Sequence, residues 1–329
     1  MKHLVQIILS LTIAVGVMYF VYRDFPFSSV SHTLLYETKW QWVAVAMLSG
    51  SLAQAIRGVR WQILLVPIGE RCMWRNLVGS IFMSFAASLV IPRIGEVSRC
   101  ATLRKTDGVS FTHSLGTVVA ERIADTLVLL LLIAIVFITQ WQQVVSFFPS
   151  TTDVNGQADS TSWSPLSVAA IAVGVGLILI VAAARLYRRN KLFRSKCDKF
   201  KEGFLSVAQC GRIFLFILYT CLICLFNLLN LWLMFYAFDS TSQLGCQAAL
   251  LAFCMIAFAM VVPTPNGAGP WHYVVSTSLI IYGVSKDNAA SFALIVHALH
   301  VLTIILLGFV GMMIVKKNKS SQTLPIVGR

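Results

Sequence analysis

Glu121, Arg122 and Asp125 stand in an apolar run that continues to Ile138, and Arg93, Glu96 and Arg99 follow Pro92 at steps of three. Two carboxylates at helical spacing are equipped to relay protons or to serve as general acid and base. Guanidinium groups match phosphate and carboxylate oxygens in a bidentate way. A charge at membrane depth costs about 2.5 kcal/mol or more unless it is paired or wetted, so it marks a site or a pathway. The chemistry on offer is recognition of an anionic group, with proton transfer beside it.

The surroundings of these residues are those of a membrane protein. Of 329 residues, 57% are hydrophobic and only 12% charged, where a soluble domain carries roughly a quarter charged residues. No polar stretch is long enough for a separate soluble module. The apolar segments 4–22, 40–62, 115–140, 165–184, 212–238 and 289–315 are each expected to span. The first is longer than a secretory h-region and is read as a retained span. Two further apolar stretches, 76–91 and 246–262, end at Pro92-Arg93-Ile94-Gly95 and at Pro263-Thr264-Pro265-Asn266-Gly267-Ala268-Gly269. Proline and glycine forbid a continuous helix there.

Charge fixes a topology. If both broken segments are hairpins that return to their own side, 22 of the 26 Lys and Arg fall inside. Arg23, Lys39 and Lys286 fall outside, and Arg122 lies in the membrane. That asymmetry is the positive-inside pattern. The expected fold is therefore an all-α polytopic membrane protein with six full spans and two re-entrant hairpins, at about 76–105 and 246–283. Residues 1–315 form one integral domain, and 316–329 a short basic cytoplasmic tail. Both termini are expected in the cytoplasm of a protein of the plasma (inner) membrane. The net charge of +13 is orientation charge and calls for no nucleic acid. The basic segment 185–212 reads as a juxtamembrane anchor or a contact for anionic lipid. Two Gly/Pro-broken segments in corresponding halves also suggest an inverted repeat around a midplane substrate site.

Ser114, Thr117, Glu121 and Asp125 recur at steps of three and four, one polar face of one helix. Its acids outnumber its base, so Arg57, Arg93 or Arg99 are the expected partners. Arg57 and Arg60, one turn apart and followed by Trp61, read either as snorkelling side chains at the interface or as a phosphate-directed pair. Pro265, Gly267 and Gly269 free backbone N–H groups, and His272 follows at a helix start that favours anions. His272, His297 and His300 read as packing histidines rather than metal ligands, and no cofactor motif is present. Cys221 and Cys224 have redox spacing, but within an apolar span they read as small core residues. Asn227 and Asn230 read as interhelical hydrogen-bonding groups.

Taken in order, Arg57-x-x-Arg60-Trp61, Pro92-Arg93-x-Gly95-Glu96-x-x-Arg99, Glu121-Arg122-x-x-Asp125 and Pro263-Thr-Pro265-x-Gly267-x-Gly269 resemble the flippase-like family named after the transmembrane region of lysylphosphatidylglycerol synthase. The resemblance implies movement of a phospholipid between leaflets. Asn266 stands where the family has a glycine and His272 where it has a glutamate, so no role of that acid carries over. Lysyl transfer from tRNA is not expected, because nothing here matches the synthase's soluble domain.

The expected function is transport of an anionic lipid or lipid-linked head group, bound by Arg57, Arg60, Arg93, Arg99 and Arg122 with Glu96, Glu121 and Asp125. Both Glu121 and Asp125 are expected to be needed for movement and dispensable for expression. The alternatives are a membrane-embedded enzyme acting on a lipid phosphate or lipid-linked sugar, and a non-transporting partner of an envelope biosynthetic enzyme. Non-enzymatic readings are preferred.

Overall fold

The computed structural model describes residues 2–23, 25–26, 28–91, 94–147, 185, 187–189, 212–262 and 264–316. Regular structure among them is helical apart from one isolated bridge, Thr38 to Phe238. Lipid leaves backbone N–H and C=O groups no water to bond, and a helix satisfies them internally. The principal helices are α1 (Lys2–Tyr22), α2 (Trp40–Leu65), α3 (Trp74–Val90), α4 (Ile94–Asp107) and α5 (Phe111–Thr139). They are followed by α6 (Ile213–Tyr236), α7 (Cys246–Ala259), α8 (Pro270–Ile281) and α9 (Lys286–Ile314). The segments Trp40–Ile68, Phe111–Thr139, Ile213–Tyr236 and Lys286–Ile314 are long and apolar enough to cross a membrane. The expected span 165–184, most of the basic segment 185–212 and the tail 317–329 lie outside the described residues.

Sequence chemistry sets the helix ends. α3 stops at Val90, two positions before Pro92, which disfavours helix in the residue ahead of it. α8 opens with Pro270, whose missing N–H costs nothing in a first turn. α9 is capped by Ser285, whose hydroxyl accepts from Asn288 N–H at 3.4 Å, with Asp287 in the first turn.

α3 and α4 form an antiparallel pair. Near its tip the Ser88 hydroxyl accepts from Gly95 N–H at 3.2 Å. At its open end the Asn76 amide donates to Asp107 at 2.8 Å. A side chain at Gly95 would run into the carbonyl of Ser84, so glycine sets how closely the pair approaches. α7 and α8 also pack against each other.

α2 and α6 pack along their length and run antiparallel. Ser49 donates to Phe226 O at 2.9 Å, Asn230 to Ala46 O at 2.5 Å, and Arg60 to Thr220 at 2.9 Å. α9 lies along α3, where Gly79 and Gly311 let the backbones nearly touch. Its end is tied down by Asn76, which donates to Lys316 O at 2.8 Å and accepts from Lys316 N–H at 2.9 Å. Among the described residues, α2, α3, α4 and α5 run long, short, short and long, as do α6, α7, α8 and α9.

The main apolar core joins α2, α6, α7, α8 and α9 around Phe235, Phe238 and Phe292. A second core, around Trp61, Leu77 and Leu103, packs α2, α3 and α4 against α5. The charged residues lie beside this second core.

Candidate functional site

α2 and α5 bring the arginines and acids together. Arg60 Nη2 donates to Glu121 Oε1 at 2.8 Å, and its Nη1 donates to Asp125 Oδ1 at 2.6 Å. The same Nη1 donates to Thr220 Oγ1 of α6 at 2.9 Å. From α4, Arg99 Nη2 lies 2.8 Å from Glu121 Oε2. Glu121 thus bridges two arginines, and the side chains of Arg60, Glu121 and Arg99 are 0%, 0% and 3% exposed.

Aromatic rings and hydroxyls brace this triad. The guanidinium of Arg99 lies 4.6 Å from the centre of the Trp61 ring, and that of Arg60 lies 5.3 Å from the Phe216 ring. Trp61 Nε1–H donates to Thr117 Oγ1 at 2.8 Å, and Thr117 donates to Ser114 O at 2.7 Å. The interfacial reading of Arg60 and Trp61 is therefore corrected. Both side chains are fully enclosed, because α5 and α6 supply the partners that water would have supplied at an interface.

A second, more open layer lies beside the first. Asp125 Oδ2 is 3.3 Å from Arg57 Nη1 and 3.2 Å from Arg122 Nη2. Arg122 Nε is in turn 3.6 Å from Glu96 Oε1. Here the side chains of Asp125 and Arg122 are 23% and 42% exposed. Arg57, Arg60, Arg99 and Arg122 outnumber Glu96, Glu121 and Asp125 by one. The site so described is one charge positive before any ligand arrives.

The outer layer faces two cavities. One, of about 450 Å³, is lined by Arg57, Glu96, Arg99 and Arg122 together with Thr264 and Asn266. The other, of about 420 Å³, is lined by Gln54, Arg57, Arg122, Asp125, Asn227 and Asn230 among others. Arg57 and Arg122 border both. Buried polar atoms at these walls with no hydrogen-bond partner among the described residues include Gln54 Oε1, Arg57 Nε, Arg99 Nε, Thr264 Oγ1 and Asn266 Nδ2. Buried groups of this kind need a reason, such as a ligand or water.

The remaining sequence-predicted residues fall in different places. Arg93 lies outside the described residues. Gly267 lines the 450 Å³ cavity at φ 75°, next to Asn266 at φ 49°. Pro265 opens the short 3₁₀ turn that carries them. Gly269, at φ 88°, packs against the backbone of Ala14 in α1. His272 is buried away from both cavities. Its Nδ1 accepts from Gly269 N–H at 3.3 Å, and its ring lies 4.4 Å from that of His297. His297 Nε2 in turn meets Asn266 O at 3.2 Å, so the histidines brace the loop.

Asn230 bonds across to α2, whereas Asn227 bonds to Ile223 O in its own helix, at 2.6 Å. Cys221 and Cys224 are free thiols. Sequence reading missed Thr220, Thr264 and the amide of Asn266. The one serine or threonine hydroxyl inside the apolar run 213–236 was the available signal for Thr220.

The arrangement is suited to holding an anion. Glu121 and Asp125 are already engaged, by two and three arginines respectively.

The family model described as the lysylphosphatidylglycerol synthase TM region matches residues 7–308. A UPF0104 membrane protein of Methanocaldococcus jannaschii is 23% identical over 311 residues, which cover 87% of this chain and 88% of that one. The glycosyltransferase AglD of Haloferax volcanii is 25% identical over 169 residues, 50% of this chain and 27% of that protein. No solved structure matches the chain.

Proposed function

Because the chain belongs to the family of the lysylphosphatidylglycerol synthase TM region, we propose that this integral membrane protein is a flippase-type transporter of an anionic lipid head group. The observation that carries the reading is the 450 Å³ cavity, lined by Arg57, Arg99 and Arg122 together with Thr264, Asn266 and Gly267. Guanidinium groups supply the phosphate contacts. The acids hold those guanidiniums in place and keep the empty site near neutrality, at a cost in desolvation that pairing offsets.

The helix pairs give the head group its path. α3 has 17 residues and α4 has 14, while α7 has 14 and α8 has 12. A crossing takes about 20, so each pair is read as a re-entrant hairpin. The antiparallel α2 and α6, each followed by such a pair and then a long apolar helix, support an inverted repeat with the site between its halves. The charge asymmetry supports cytoplasmic termini in the inner membrane. The lipid is the one partner this reading requires.

The test is native mass spectrometry of the gently purified protein and of Arg57→Gln/Arg122→Gln. An anionic phospholipid retained by the wild type and lost by the double variant is expected. The same bulk lipid in both would remove the reading.

A further inference from the structure

Asp125 uses its two carboxylate oxygens differently. Oδ1 takes the short bond, 2.6 Å, from Arg60, which is fully enclosed. Oδ2 is held at 3.3 and 3.2 Å by Arg57 and Arg122, the two arginines that border both cavities. Two guanidiniums converging on one oxygen form the seat a phosphate oxygen would take. Here the protein's own carboxylate fills it. Arg57 Nε, buried beside this seat, has no hydrogen-bond partner among the described residues. The seat therefore has donor capacity that Asp125 leaves unused.

We propose that Asp125 Oδ2 is an internal stand-in for the substrate's anionic oxygen, displaced when the head group binds and restored when it leaves. The inference rests on the lipid-transport reading and names the atom that makes binding reversible. A seat of two guanidiniums with no tethered competitor would trap an anion. A tethered carboxylate competes for the same donors, weakens binding and drives release. The inner triad of Arg60, Glu121 and Arg99 stays fixed throughout and keeps Oδ1 anchored, so Asp125 exchanges one oxygen without leaving. The 420 Å³ cavity reaches Asp125 itself, and the 450 Å³ cavity reaches the two arginines of the seat.

A seat occupied by an internal competitor binds with an apparent affinity reduced by the fraction of time it stands empty. If that fraction is about one tenth, removing the competitor's charge strengthens binding by about tenfold. The experiment uses the full chain in detergent, titrated with phosphatidylglycerol and separately with phosphatidylcholine, and read by native mass spectrometry. Movement of fluorescent phosphatidylglycerol in proteoliposomes is measured in parallel. Asp125→Asn is expected to bind phosphatidylglycerol about tenfold more tightly and to move it more slowly than wild type.

Glu96→Gln removes a charge beside Arg122 but not from the seat, and is expected to strengthen binding by less than Asp125→Asn does. Arg122→Gln, at the most exposed arginine of the layer, is expected to weaken phosphatidylglycerol binding and leave phosphatidylcholine binding unchanged. It carries the test if Asp125→Asn fails to fold. Equal strengthening by Asp125→Asn and Glu96→Gln would show general electrostatics and overturn the seat. Unchanged or weaker binding by Asp125→Asn, with the wild type still preferring phosphatidylglycerol, would overturn the stand-in and leave the transport reading intact. No preference for phosphatidylglycerol in either protein would overturn both.

Discussion

Arg60 and Glu121, 61 positions apart in the chain, meet at 2.8 Å with neither side chain reachable by solvent. Their contact ties α2 to α5, and Arg99 extends it to α4. A buried pair of this kind adds little net stability against an apolar replacement, yet removing one partner strands the other. It fixes which helices meet and at what height, and so sets the position of the more open layer beside it.

Glu121→Ala leaves two enclosed guanidiniums without their shared acid. The expected loss is about 3–5 kcal/mol, read as a lower thermal midpoint in detergent and poor membrane yield. This revises the expectation drawn from sequence, which separated Glu121 from expression. A normal midpoint for this variant would count against a structural role for the triad.

Asp125→Ala is expected to behave differently. Its carboxylate is partly exposed and its Arg60 contact is backed up by Glu121 and Thr220. Yield should stay near wild type while lipid movement is lost. Fluorescence-detected size exclusion beside a proteoliposome assay separates the two effects.

Trp61→Phe removes one donor and part of the ring beneath Arg99, while Thr117 keeps its bond to Ser114. The expected cost is about 1–2 kcal/mol. Chemical denaturation of the two proteins in matched micelles gives the comparison, and Thr117→Val should lose a similar amount through the same bond.

Gly311→Ala tests the α3–α9 contact. A Cβ there would stand 2.7 Å from Gly79 O and 3.0 Å from Phe82 Cβ, neither at the end of a flexible chain. Overpacking of this kind costs about 1–3 kcal/mol. Gly116→Ala, where a Cβ meets nothing within 4 Å, is the control. In a helix interior it should gain about 0.5–1 kcal/mol. Thermal midpoints moving in opposite directions are the expected result.

The helical membrane class was legible in composition, and the breaks near Pro92 and at Pro265–Gly269 in their proline and glycine residues. The polar face Ser114–Thr117–Glu121–Asp125 was legible too, because helical period depends on one segment alone. What it faces was not. Arg60 looked like one more arginine near a helix end, and only the packing of α5 and α6 against α2 encloses it. Asp107, beside Arg104 and Lys105 in the chain, accepts from Asn76 and from Met73 N–H, partners that no local pattern names. The meeting of Ser88 with Thr264 around one cavity joins segments far apart in the chain, and no local pattern encodes it.

Movement of phosphatidylglycerol between leaflets of proteoliposomes tests the central claim most directly, with wild type and Arg57→Gln/Arg122→Gln compared at equal protein content. The account predicts movement well above protein-free vesicles for the wild type and near that background for the double variant. Equal rates in the two proteins, or no movement by either, would contradict it.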